Sequence, residues 1–92
     1  MSTAAVAAAA AAHAAFTVVD ATHAIGWLPF DASPFDAVAC AAYKWLMSPR
    51  GTAFLALSER ALEQTTPLAA NWFAAEDRFG NYYEPQLQLA TD

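Results

Sequence analysis

The sequence predicts an α/β fold of about three strands, two parallel and one antiparallel, with flanking helices. Three runs carry that expectation. Phe16-Thr17-Val18-Val19-Asp20 is short, β-branched and apolar, the pattern of a strand buried on both faces. Residues 21–36 hold Gly26, Pro29 and Pro34 and read as a connection long enough to cross over and begin a second, parallel strand at 36–41. Thr52-Ala53-Phe54-Leu55-Ala56-Leu57 follows the short turn Pro49-Arg50-Gly51, which favours an antiparallel return.

The remaining elements follow from propensity and caps. The alanine-rich opening has the highest helix propensity of the chain and predicts a helix over 3–14, with Ser2 or Thr3 as its cap. Ser58 is placed to cap a second helix reaching about Gln64, with Glu59 in its first turn. Beyond Pro67 the periodicity fades. Trp72, Phe73, Phe79, Tyr82 and Tyr83, with Gly80 and Asn81, read as an aromatic loop awaiting a surface.

Composition bounds what the chain can do alone. Its 92 residues make at most one domain, and although 58% are hydrophobic, 25 of these are alanine. A core built from so few large apolar side chains is marginal, and Cys40, the one cysteine, has no partner for a disulfide. Three strands with a helix or two cannot cover both faces of a parallel sheet, so the expectation is a piece of a larger protein. The net charge of −5, with Lys44, Arg50, Arg60 and Arg78 scattered, argues against nucleic acid. The opening run lacks the positive flank of a signal peptide and is too short and weakly apolar for a membrane span, which makes a cytoplasmic location the default.

The chemistry gathers at one edge. Two parallel strands would bring Asp20 and the turn carrying Lys44, the only lysine, to the same carboxyl edge of the sheet, where ligands of open α/β sheets sit. A lysine amine can form an imine with an aldehyde. An aspartate ending a neighbouring strand can hold a pyridine nitrogen protonated.

Asp36, Ala41, Ala42, Lys44, Gly51, Ala53 and Leu55 fit an extended pattern in which six residues separate the lysine from the glycine. With Asp20 upstream, residues 16 to about 57 resemble the class V aminotransferase family of fold type I pyridoxal-phosphate enzymes, which includes cysteine desulfurases, kynureninases and isopenicillin N epimerase-like proteins. The resemblance implies that residues 1–92 are a partial large, cofactor-binding domain. It implies pyridoxal 5'-phosphate as cofactor, an amino-acid substrate, and lyase, epimerase or aminotransferase chemistry through a Lys44 aldimine. Asp20 would pair with the pyridinium nitrogen, His23 would contact the cofactor near its phenolic oxygen, and the Tyr43 hydroxyl would donate to the phosphate. The family's ring-stacking residue, upstream phosphate loop and downstream carboxylate-binding arginine have no counterparts here, so the chain alone is expected to be inactive; full-length relatives are expected to be homodimers.

Plainer readings stand beside these. His23 and Tyr43 could be packing residues, and Ala41 stands where several relatives have a phosphate-binding Ser. Arg50 reads as a surface residue that could also meet a substrate carboxylate. Thr22 is an uncommitted hydroxyl. Cys40 reads as a buried small residue rather than a nucleophile. Asp20 and His23 as metal ligands would need further ligands, and the other histidine, His13, lies in the alanine-rich helix. The alternative of another class is a noncatalytic remnant or interaction module derived from the same fold.

Overall fold

The structure, a computed structural model, describes residues 2–69, 72–77, 79–80 and 88–91. Helix α1 spans Thr3–Ala12. It is two residues shorter than propensity predicts, because the chain turns left-handed at Ala14 (φ 50°). There the Ala14 and Ala15 N–H groups bond back to the Ala11 and Ala10 carbonyls, at 3.2 and 2.9 Å. These two bonds form a Schellman motif with alanine in the position glycine usually takes. Ser2 is the N-cap residue as expected, but its side chain makes no capping hydrogen bond. No residue of α1 is fully buried, and it meets the core through Ala7.

Three strands follow: β1 Val18–Asp20, β2 Ala37–Ala41 and β3 Ala53–Leu57. They form one sheet in the order β1-β2-β3, parallel between β1 and β2 and antiparallel between β2 and β3. The α/β architecture and strand directions are those expected. Strand β1 is shorter than the apolar run that predicts it, beginning at Val18. Helix α2, Glu59–Gln64, is capped by the Ser58 hydroxyl, which accepts from the Ala61 N–H at 3.0 Å.

The two faces of the sheet differ sharply. In the observed register Val19, Val38, Cys40 and Phe54 share one face. Val38 there belongs to a core cluster with Ala21 and Phe35, against which Val19, Ile25 and Phe30 pack. On the other face Val18 and Leu55 remain 68% and 60% exposed. The expectation that β1 is buried on both faces is therefore corrected: helices and loops of the described chain cover one face only.

Two threonines close the ends of the parallel pair. Thr17 exchanges hydrogen bonds with Asp36 at its amino end. Its N–H and hydroxyl donate to Asp36 Oδ2 at 2.8 and 3.2 Å, and its Oγ1 accepts from the Asp36 N–H at 2.9 Å. The Asp36 carbonyl accepts from the Ser58 N–H at 2.9 Å, and Arg60 Nε lies 3.6 Å from Asp36 Oδ1. Asp36, read from the sequence only as part of a pattern, thus ties both flanking strands and α2 to the start of β2. Thr22 acts at the carboxyl end.

Described parts of the aromatic tail take regular structure. A 3-10 turn at Trp72–Ala74 leads into a bridge between Ala75 and Leu89, supported by hydrogen bonds from Glu76 N–H to the Gln88 carbonyl and from Ala90 N–H to the Ala74 carbonyl. Phe73 and Phe79 are exposed, while Asn81, Tyr82 and Tyr83 lie outside the described residues. Among the described residues no helix is long and apolar enough to cross a membrane.

Candidate active site

Asp20 is the last residue of β1 and lies in register with Ala39 of β2. Strand β2 continues to Ala41, and the chain then turns through 42–47, presenting Lys44 beyond the same carboxyl edge. The neck of this loop is closed by hydrogen bonds from Ala42 N–H to the Thr52 carbonyl (2.9 Å) and from Ser48 N–H to the Ala42 carbonyl (3.0 Å). Gly51, with φ +90°, makes the sharp return into β3 that the Pro-Arg-Gly turn predicts. Lys44 is exposed, its carbonyl accepting from the Met47 N–H at 3.1 Å.

The segment after Asp20 folds into tight helical turns. Ala21 extends the ladder by donating its N–H to the Ala39 carbonyl at 2.8 Å, and its own carbonyl accepts from the Ala24 and Ile25 N–H groups, both at 3.0 Å. Thr22 is nearly buried, at 9% exposure. Its N–H donates to Asp20 Oδ1 at 2.9 Å, and its Oγ1 accepts from the Ala41 N–H at 3.0 Å. The uncommitted hydroxyl of the sequence is thus the link between the two strand ends. The Thr22 hydroxyl first, then its N–H, and to a lesser extent the charge of His23, hold the Asp20 carboxyl below its ordinary 3.8. Asp20 is accordingly a carboxylate throughout the neutral range.

A second contact joins the two loops. Gly26 lies so close to Trp45 that a Cβ on it would stand 2.9 Å from the Trp45 Cβ. The Trp27 and Trp45 rings are 5.6 Å apart and tilted by 49°. Trp27 Nε1–H donates to the carbonyl of His23 at 2.8 Å, which braces the turn that carries the imidazole. His23 itself is exposed at the same edge.

Tyr43 precedes Lys44 and is 40% exposed. Its ring receives two cations, with Lys44 Nζ 5.2 Å and Arg50 Cζ 5.6 Å from its centroid. Contacts of this kind at exposed rings contribute about 0.5–1 kcal/mol. The structure therefore gathers Asp20, His23, Tyr43 and Lys44 on two touching loops, with Arg50 beside them. The sequence assigns no role at this edge to Thr22, Gly26, Trp27 or Trp45, whose contribution is a contact between loops rather than a motif. Asp36 is not part of this edge. Cys40 is 1% exposed within β2, as its small-residue reading expects.

Other features do not compete. Among the described residues no three His, Cys, Asp or Glu side chains gather as metal ligands. A groove of about 410 Å³ is lined by Leu57, Leu62, Thr65, Pro67, Ala90 and Thr91, and includes none of the residues just described.

Comparison with known proteins identifies the family of the chain. The family model described as Aminotransferase class-V matches residues 1–78. Isopenicillin N epimerase of Streptomyces clavuligerus is 40% identical over 77 residues, an alignment covering 71% of this chain and 19% of that protein. The chain thus spans about a fifth of the length of that relative. No solved structure matches significantly. With its parallel pair and antiparallel return matching the expected architecture, and with residues 1–78 matched by the family model, the chain belongs to the class-V aminotransferase family.

Proposed function

We propose that the chain is part of the cofactor-binding domain of a pyridoxal-phosphate enzyme that transforms an amino acid by lyase, epimerase or aminotransferase chemistry, and that residues 1–92 alone are inactive. One observation carries the reading. The only lysine and a carboxylate that accepts the Thr22 N–H and is held below its ordinary pKa share the carboxyl edge of a parallel strand pair in a member of this family.

The donor set suits the cofactor. Lys44 is an accessible primary amine that can hold an aldehyde covalently. Asp20 is an anion that can pair with a protonated ring nitrogen. The Tyr43 hydroxyl and the Arg50 guanidinium are donors to an anionic group, and His23 supplies an imidazole on the Asp20 loop. Pyridoxal phosphate, when bound, supplies an electron sink for negative charge at the substrate α-carbon. The Lys44 amine, when free, would take or return a proton at that carbon.

The test is to incubate the chain with pyridoxal phosphate, reduce with borohydride and map the adduct by mass spectrometry. Because Lys44 is the only lysine, its sole amine competitor is the N-terminus. Saturable labelling of Lys44 that weakens in Asp20→Ala is the expected result. Labelling at the N-terminus alone would count against the reading for this chain.

A second reading, a noncatalytic interaction module, draws on the exposed face around Val18 and Leu55. It predicts association with another polypeptide and no selectivity for Lys44.

A further inference from the structure

We propose that Thr22 is the positioning residue of this site, fixing the Asp20 carboxylate to the strand end that carries Lys44. The meaning of that link for catalysis rests on the reading given above, whereas the link itself rests on geometry. Thr22 Oγ1 accepts the Ala41 N–H at 3.0 Å, and Ala41 ends β2 three residues before Lys44. A hydroxyl that accepts still has its own proton to give, and the Thr22 N–H already donates to Asp20 Oδ1 at 2.9 Å. The result is a link through one residue, from the Ala41 amide to the Thr22 hydroxyl and from the Thr22 amide to the Asp20 carboxylate.

Burial makes the chain rigid where its end is not. Asp20 is exposed and would otherwise sample several rotamers, whereas Thr22 is 9% exposed and β-branched, which restricts its χ1. A charge partner loosened by about 1 Å loses much of its effect on a reacting group. Thr22 thus holds the Asp20 carboxylate directly while making no contact with the Lys44 amine, and so sets where that carboxylate stands relative to the amine.

The fold supplies an internal control. Thr17 makes the corresponding link at the amino end, where its Oγ1 accepts the Asp36 N–H and donates to Asp36 Oδ2. Both threonines bridge residues nineteen positions apart, one link at each end of the same parallel pair. A valine at either position removes a comparable link, and only one of the two lies beside Lys44.

The experiment uses the 92-residue chain with 13C-labelled aspartate, following the Asp20 carboxyl by NMR from pH 6 to pH 2, together with pyridoxal-phosphate labelling of Lys44. Thr22→Val is expected to move the Asp20 titration upward towards the ordinary carboxylate value and to raise the half-saturating cofactor concentration roughly tenfold. Thr22→Ser, which keeps the hydroxyl, restores both. Thr17→Val lowers stability and leaves both readouts at their wild-type values. An unchanged Asp20 titration in Thr22→Val overturns the proposal, as does Thr17→Val shifting the labelling as far as Thr22→Val. Should Thr22→Val fail to fold, Thr22→Ala takes its place, and a wild-type Asp20 that titrates at or above the ordinary value overturns the proposal without any variant. Absence of Lys44 labelling in every protein would defeat the pyridoxal-phosphate reading instead, with the Asp20 titration still deciding the role of Thr22.

Discussion

The backbone of Gly26 lies against Trp45: a Cβ built on the glycine would stand 2.9 Å from the Trp45 Cβ and 3.0 Å from its carbonyl carbon. Gly26 also holds φ +113°, a conformation that disfavours any side chain. Trp45 adjoins Lys44, so this contact sets how the turn after Asp20 docks on the lysine loop. Gly51 offers the comparison, with φ +90° but open space around the position of its missing Cβ.

Gly26→Ala should therefore cost about 2–4 kcal/mol, from backbone strain together with the forced displacement of Trp45. Gly51→Ala, with strain alone, should cost about 1–2 kcal/mol. Urea unfolding of the two variants measures the difference. Equal losses would show that the Trp45 contact contributes nothing.

Asp36 is the anchor of the opposite edge. Its carboxylate accepts from the Thr17 N–H and hydroxyl, while Arg60, whose side chain is 47% exposed, approaches to 3.6 Å. Asp36→Ala strands the half-buried Thr17 donors and should lower stability by about 1–2 kcal/mol. Arg60→Ala breaks a long, partly solvated ion pair and should cost no more than about 1 kcal/mol. Thermal denaturation of both separates hydrogen bonding from charge. A larger loss in Arg60→Ala would reverse the assignment.

The left-handed residue at the end of α1 is an alanine, Ala14. Glycine takes that conformation without the steric penalty of a Cβ, so Ala14→Gly should stabilise the end of the helix by about 0.5–1 kcal/mol. Circular dichroism and the urea midpoint together check this. A fall in both would mean that the lost helix propensity of the flanking turn outweighs the relieved strain.

Strand directions and the position of Lys44 were legible because they depend on local signals: β-branched runs, a proline-containing connection too long for a hairpin, and a Pro-Arg-Gly turn. The Ser58 cap was legible for the same reason, since its partner Ala61 lies three residues away. Thr22 was not. Its partner is the backbone amide of an alanine, Ala41, nineteen residues on, and an amide has no signature in the sequence. Gly26 was read only as a breaker in a connection, because its close approach to Trp45 exists once the two loops have met. The burial of β1 was overestimated on similar grounds. Val18 and Val19 look alike in sequence, and only the arrangement of Phe35, Phe30 and Ile25 on one face of the sheet decides that Val19 is packed and Val18 is open.

The lowered Asp20 carboxyl has a consequence for stability in acid. Because its folded-state value lies below the ordinary 3.8, the unfolded chain binds the proton more readily than the folded one. Its contribution is present in full above the ordinary value and is lost as the pH falls through the lower, folded-state value. Asp20→Asn removes that dependence, since an amide does not titrate. The urea midpoint of the wild type should therefore fall more steeply between about pH 5 and pH 2 than that of Asp20→Asn. Asp31, held low by the Ser33 N–H and hydroxyl, retains its own share of the acid slope in both proteins, so the difference between the curves isolates Asp20. Parallel curves would mean that the Thr22 hydrogen bonds to Asp20 persist in the unfolded chain or are too weak in solution to select the carboxylate.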